Sequence, residues 1–368
     1  MLKDIVLSGI GVVSPFGVGA DALLAGLIES REAFRSGQPF RRNGAVPDFD
    51  PSAHVPKDLR RLSRPSLFGV VAAHEALRRA GRLPVPEPSR AGVSMATCHG
   101  AIAFSESFHR SLVTQGPASV SPATFSESLF NVAASHISIA LGITGPAITV
   151  VGDGTRFHDL LRRAAAALGA GEIDIVLVGT VEEDHPILHE GYGTCGPRVA
   201  GCLQLADGRG GESPLCEGGV VAVLERAETA SAIIARVELF ARLGSDPPGP
   251  PDAGIPPPPL YQRGAGGDLE RSASGEIGLI LHQDPAFVLP SGSLDAEWEA
   301  DESPLVPSPD RAFGLRPLLG EAFELMGGLQ LAAGAALMER DPEVRAVRAW
   351  NVAPVTGRRD GFSLLPKR

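Results

Sequence analysis

The sequence predicts an α/β protein, and three observations carry that prediction. Gly145 to Gly179 reads as a strand, a Gly-rich turn, an Ala-rich helix and a second strand. Elsewhere β-branched runs alternate with segments whose apolar residues recur at helical spacing. A chain of 368 residues that is 43% hydrophobic and 21% charged has the balance of a soluble globular protein and can bury one large or two medium cores.

In chain order, Lys3 to Gly11 is a strand, and its early acid and lack of a cleavage site argue against a signal peptide. The glycines from Gly9 to Gly17 superficially match a dinucleotide fingerprint. The last glycine is missing, Pro15 interrupts, and no acid ends a second strand at the usual distance, so no nucleotide cofactor is expected. Asp21 is the expected N-cap of a helix over Ala22 to Glu29. Phe34 to Arg61 reads as a polar surface excursion. A helix follows Pro65 with Leu67, Val70, Val71, His74 and Leu77 on one side and Gly81 at its end, which makes His74 structural.

Ala91 to Thr97 is a strand closed by Cys98-His99-Gly100. A neighbouring Cys and His can serve as nucleophile and base, but adjacent strand residues point to opposite faces. Glu127 to Leu141 reads as one helix rich in small residues, whose Asn131, Ser135 and His136 suit close packing of another helix or subunit. In the central stretch, Ala147 to Val151 reads as a buried strand, Gly152 to Thr155 as the turn, and Ile173 to Gly179 as another buried strand. Many α/β enzymes place a nucleophile at such a strand-to-helix turn, where helical N–H groups stabilise negative charge. Here a glycine stands in that place, and Asp153, Thr155 and Arg156 read as a local helix cap, with His158 one turn further on.

Strands follow at Arg198 to Leu205, Gly218 to Leu224 and Ile233 to Leu243. The Pro-rich segment 247–259 reads as an extended linker. Ile277 to His282 is a strand, Leu289 to Ser308 is polar and irregular, Leu318 to Met338 is a Gly/Ala-rich helix, and Val344 to Trp350 and Gly361 to Leu365 are strands. The net charge of −10 is dispersed without a basic stripe, so nucleic acid is not an expected partner. No apolar run spans a membrane, and a cytoplasmic protein is expected. Cys98, Cys195, Cys202 and Cys216 have no paired or metal-like spacing, so they read as structural and no metal is expected.

The segments Val6 to Gly17 (V-L-S-G-I-G-V-V-S-P-F-G), Asn131 to Gly142 and Cys216 to Glu225 resemble, in order, the opening strand, interface helix and G-E-G-A-G strand of the ketosynthase branch of the thiolase-like superfamily. The central stretch from Thr149 aligns without a gap to T-V-D-T-A-C-S-S-S-L. The resemblance implies a thiolase-like layered αβαβα fold from two related halves, an N-terminal half at 1–240 and a shortened, degenerate half at 241–368. It places Gly154 at the catalytic cysteine, His282 as a possible remnant of the first catalytic histidine, Arg316 at the lysine and Glu321 at the second histidine. The closing G-F-G-G turn becomes Val355-Thr356-Gly357-Arg358.

Condensation needs a thiolate to hold the acyl chain and imidazoles to polarise the thioester as malonyl loses carbon dioxide. Gly154 cannot be acylated. The resemblance therefore implies a chain-length-factor-type subunit that pairs with an active ketosynthase, and through it with acyl carrier protein, in type II polyketide, aryl polyene or fatty-acid-like biosynthesis. Asn131, Ser135, His136, Ile148, Thr149 and Val150 are the implied dimer interface. Two alternatives stand beside it: an acyltransferase or hydrolase repurposed around His282 with Thr155 or Cys98, and a homodimer that sequesters an acyl ligand.

Overall fold

A computed structural model of the chain describes residues 5–29, 44–56, 59, 62–152, 154–194, 215–242, 277–282, 312–314, 322–341, 344–352 and 359–366. The expected strand at Arg198 to Leu205, the linker at 247–259, the polar stretch at 289–308 and the closing turn at 355–358 lie outside the described residues. So do Asp153, Arg316, Glu321, Cys195 and Cys202.

The first half of the chain supplies β1 (Ile5–Ser14), β2 (Gly17–Val18), α1 (Ala20–Ile28), α2 (Arg64–Arg79), β3 (Ala91–Thr97), α3 (Ile102–Gln115), α4 (Pro122–Glu127) and α5 (Val132–Leu141). Next come β4 (Ala147–Val151), α6 (Arg156–Gly169), β5 (Ile175–Glu182), α7 (Pro186–Thr194), β6 (Gly218–Arg226) and β7 (Ala235–Arg242). The remainder holds β8 (Ile277–His282), β9 (Ala312–Gly314), α8 (Glu324–Arg340), β10 (Val344–Val352) and β11 (Arg359–Leu365).

The strand order is β4-β3-β5-β6-β1-β7-β11-β10-β8-β9, with β2 paired to β1. From each edge inward the pattern repeats. Three mutually parallel strands, β4-β3-β5 and β9-β8-β10, are followed by antiparallel β6-β1 and β11-β7, and β1 meets β7 antiparallel in the middle. The same strand pattern thus stands on either side of the β1–β7 pair.

Helices α2 and α5 close one face, where Phe68, Val71, Leu77 and Ile137 pack on Val13, Val93, Leu177 and Val221. On the other face α1, α6 and α8 pack on β1, β5, β6, β10 and β11. Buried nearly all round from Glu324 to Leu337, α8 is an interior helix. Its glycines let it lie close: a Cβ at Gly327 would meet Phe157 at 2.9 Å, and one at Gly328 would meet Thr180 at 2.5 Å.

Gly9 and Gly11, which imitate a nucleotide motif, serve packing instead. A Cβ on Gly11 would lie 1.9 Å from the Ala72 carbonyl oxygen, so α2 rides directly on the β1 backbone. Gly11→Ala is expected to cost about 2 kcal/mol of stability by chemical denaturation, because backbone rather than a flexible side chain must yield.

Several local expectations need correction. The N-cap of α1 is Gly19, with Asp21 inside the first turn. The helix expected from Glu127 to Leu141 starts only at Val132, because α4 ends at Glu127 and a turn separates it from α5. His136 Nε2 reaches back 2.6 Å to Glu127 Oε1 across the intervening turn. The final helix begins at Glu324, not Leu318, since Phe323 sits at φ 45° and cannot continue a right-handed helix inward. The excursion before α2 is partly core, with Val46 and Val55 buried and Gly44 bridging to Cys216. Finally, β4 is not buried: it is the sheet's terminal strand, with Ile148 38% and Val151 47% exposed.

Candidate functional site

The parallel strands β3, β4 and β5 end together, and α6 starts there, in the crevice where open α/β sheets carry ligands. Gly152 follows β4 and donates its N–H to the Thr97 carbonyl at 3.1 Å. Gly154 has φ 106°, a conformation that side-chain-bearing residues rarely adopt. Thr155 is the N-cap of α6, but its side chain makes no capping bond.

The cap comes from a residue far along the chain. Glu324, at the start of α8 and fully buried, accepts the Gly154 N–H at 2.7 Å on Oε1 and the Phe157 N–H at 3.0 Å on Oε2. Burial pushes its carboxyl up to about 7; the N–H groups of Gly154, Phe157 and Arg156 oppose that rise, and the Glu182 charge adds to it. The carboxylate fills the turn so closely that a Cβ on Gly152 would lie 2.3 Å from Oε1. The expected local cap by Asp153, Thr155 and Arg156 is thus replaced, in its described part, by a tertiary contact. No local pattern marks Glu324; a buried acid opening an apolar, Gly-rich helix is the one signal that singles it out.

Beside the turn, Cys98 and His99 lie past the end of β3 in a bend. The strand alternation that would set them on opposite faces therefore does not apply. Glu182, at the end of β5 and 1% exposed, accepts the Cys98 N–H at 2.6 Å, and its Oε2 stands 3.2 Å from His99 Nδ1. Cys98 Sγ donates to the Gly152 carbonyl at 3.0 Å. Cys98 is only partly buried, whereas Cys216 is buried as a structural cysteine should be.

The next acid, Glu183, is also buried and pushed up to about 7. Burial is the main cause; Glu217 adds to it, while the Ala103 N–H, Arg64 and the Ile102 N–H oppose it. Glu217 is held by Arg64 Nε at 2.7 Å and by the Val46 N–H at 2.8 Å. His158, fully buried, lies between Phe157 and Phe362, so it is a core residue of the first helical turn. His74 flanks the apolar stripe of α2, where burial lowers its pKa. His282 closes β8 opposite Trp350 of β10.

Asn131, Ser135 and His136 lie at least partly exposed on and before α5, and Ile148, Thr149 and Val150 on the open edge β4. Ile139 is 71% exposed nearby. Among the described residues no group of three or more His, Cys, Asp or Glu side chains is set to hold a metal, and no helix is long and apolar enough to cross a membrane.

Residues 2–230 match the family model described as beta-ketoacyl synthase, N-terminal domain. The chain belongs to the β-ketoacyl synthase family. It is 27% identical over 201 residues to a 3-oxoacyl-[acyl-carrier-protein] synthase 2 of Vibrio harveyi, covering 52% of this chain and 48% of that one. It is 30% identical over 198 residues to the granaticin polyketide putative beta-ketoacyl synthase 1 of Streptomyces violaceoruber, covering 50% and 47%. The chain spans about half the length of the curated relatives it matches.

Solved structures extend the likeness of fold to the whole chain. The ishigamide ketosynthase/chain length factor matches at a TM-score of 0.69 and 20% identity over 99% of both chains. A ketosynthase in complex with its type II PKS acyl-carrier protein matches at 0.72 and 16%, again over 99% of both. These likenesses, all below 25% identity, concern the fold.

Proposed function

We propose that this β-ketoacyl synthase relative is a non-condensing subunit that pairs with an active ketosynthase and shapes the tunnel for its growing acyl chain. The observation that carries this reading is the turn itself. Where the resemblance puts the nucleophile stands Gly154, and the N–H groups that would face a reacting carbonyl are taken by the chain's own Glu324. In its ionised form the Glu324 carboxyl repels a developing enolate at that point, so the decarboxylation that drives condensation is opposed as well.

What the chain retains is a surface for pairing. β4 offers an apolar open edge, the kind of strand that soluble proteins cover or charge. A type II pathway, with acyl carrier protein reached through the active partner, fits the polyketide relatives and the chain-length-factor neighbour.

Co-expression with a ketosynthase whose Cys-His-His set is intact should give a 1:1 complex and change product chain length; a homodimer indifferent to that partner would overturn the reading. Placing lysines at Ile148 and Val151 should weaken the complex at least tenfold by analytical ultracentrifugation. Both side chains are exposed, so each change should alter the stability of the lone chain by no more than ~0.5 kcal/mol.

A further inference from the structure

Two consecutive residues at the start of α8 fill two unlike halves of the crevice. Glu324 sets its carboxylate on the amides of Gly154 and Phe157, at 2.7 and 3.0 Å. Phe323, just before it, is seated with Leu188 and Leu215 in a small apolar cluster against which Cys98 and Ile102 pack, and its ring meets His99 edge-on at 4.7 Å. Cys98 joins the halves, since its Sγ donates to the Gly152 carbonyl at 3.0 Å. Gly152 in turn walls the carboxylate, with room for no Cβ within 2.3 Å of Oε1.

Both placements are costly. Glu324 is fully buried and feels the charge of Glu182, so its acid lies close to another acid. Phe323 is held at φ 45° and ψ −121°, a conformation that a side-chain-bearing residue keeps only where its surroundings enforce it. What offsets these costs is the fit of the two side chains as one occupant. The acid lies on the positive end of α6 and the ring lies in the apolar half. The helix that carries them is pressed on the helix that carries the amides, since a Cβ at Gly327 of α8 would meet Phe157 at 2.9 Å.

We propose that Phe323 and Glu324 are an internal plug that closes the crevice to outside carboxylates and acyl carbonyls, standing in for a carboxylic acid that bears an aromatic group. The chain's own carboxylate takes the helix amides and its own ring fills the apolar half, so nothing else enters while α8 begins where it does. Shortening Glu324 should turn the same seat into a binding site for a small carboxylate. The inference rests on the crevice alone; pairing with a ketosynthase is measured separately, so the two readings fail independently.

The test uses the full chain, with melting temperatures read at neutral pH in sodium acetate against sodium chloride of equal ionic strength. Glu324→Ala vacates the volume of an acetate ion at the turn amides. Acetate should raise its melting temperature in a saturable way and recover at least half of what the substitution loses, because a ligand that binds only the folded state stabilises it. The parent and Glu324→Gln, whose seats remain filled, should respond no more than they do to chloride. Acetamide, which sets an amino group where a second acceptor is needed, should act at least tenfold more weakly. With Phe323→Ala added to Glu324→Ala, hydrocinnamate should bind at least tenfold more tightly than acetate by isothermal titration calorimetry. If Glu324→Ala does not fold, Phe323→Ala alone decides: with the carboxylate still seated it should take benzyl alcohol and reject hydrocinnamate. An acetate response as large in the parent as in Glu324→Ala, equal effects of acetate and acetamide, a folded Glu324→Ala that acetate leaves unchanged, a double variant without preference for hydrocinnamate, or hydrocinnamate bound by Phe323→Ala each overturns the proposal.

Discussion

Between about pH 5 and about pH 8 the folded chain is expected to lose stability from two buried acids, and Glu324→Gln should remove one share of that loss. The folded-state pKa of Glu324 lies at about 7, against 4.5 for an ordinary glutamate. In that interval the folded state binds more protons than the unfolded state, so unfolding free energy falls as pH rises. The contribution is complete below the unfolded value, is lost progressively up to the folded one, and then levels off. A rise of this size corresponds to roughly 3 kcal/mol.

Glu183, raised to about 7 by its own burial, adds a second share of similar size. Glu324→Gln keeps one acceptor for the turn and loses the other, a cost of about 1–3 kcal/mol. The variant should therefore be less stable than the parent near pH 5, with the gap narrowing toward pH 8. Denaturation midpoints taken across the range check this; parallel pH curves for parent and variant would refute it. Glu183→Gln should flatten the profile independently, since Glu183 faces the Ile102 and Ala103 N–H groups and not the Gly154 turn.

Asp174 works in the opposite sense at acid pH. Hydrogen bonds from Arg90 and Arg226 hold its carboxyl well below the ordinary value, so what it contributes is lost only on strong acidification.

Much of this fold is legible in the sequence because local signals and burial agree there. β3 falls on Ala91–Thr97 and β4 on Ala147–Val151, as the β-branched runs and flanking glycines and proline require. Gly81, at φ 66°, ends α2 where a left-handed residue is needed. The misreadings share a physical cause, which is that composition reports apolarity without saying what covers it. An apolar strand reads as buried wherever it lies in the sheet, so β4, the terminal strand, reads as core.

The site was half legible. The resemblance puts Gly154 at the turn, but the cap contact spans 170 residues and depends on how α8 lies across the face of the sheet beside α6. Glu321, the acid expected at the second histidine, lies outside the described residues; the acid that meets the turn is Glu324, three positions on. Cys98 and His99 lie past the end of β3, so strand alternation does not fix where their side chains point. Their relation to Glu182 is likewise tertiary, since it joins the ends of two strands adjacent in the sheet but 84 residues apart in sequence.

Gly154→Cys is expected to give no reactive thiol and to destabilise the chain by about 2 kcal/mol or more. The first reason is conformational. At φ 106° a side chain is strained, a cost of the order of 1–2 kcal/mol for a left-handed residue. The second is electrostatic. A cysteine at this point enters a turn whose N–H groups already serve the Glu324 carboxylate, so the helix terminus that elsewhere lowers a thiol pKa is spent on another anion.

Removing the carboxylate separates the two effects. In Gly154→Cys combined with Glu324→Ala, the turn amides face the new thiol and the competing charge is gone. Alkylation of residue 154 by iodoacetamide should then be at least tenfold faster than in the single variant at neutral pH, while the backbone strain persists in both. Equal rates in the two variants would mean that Glu324 does not hold the turn closed.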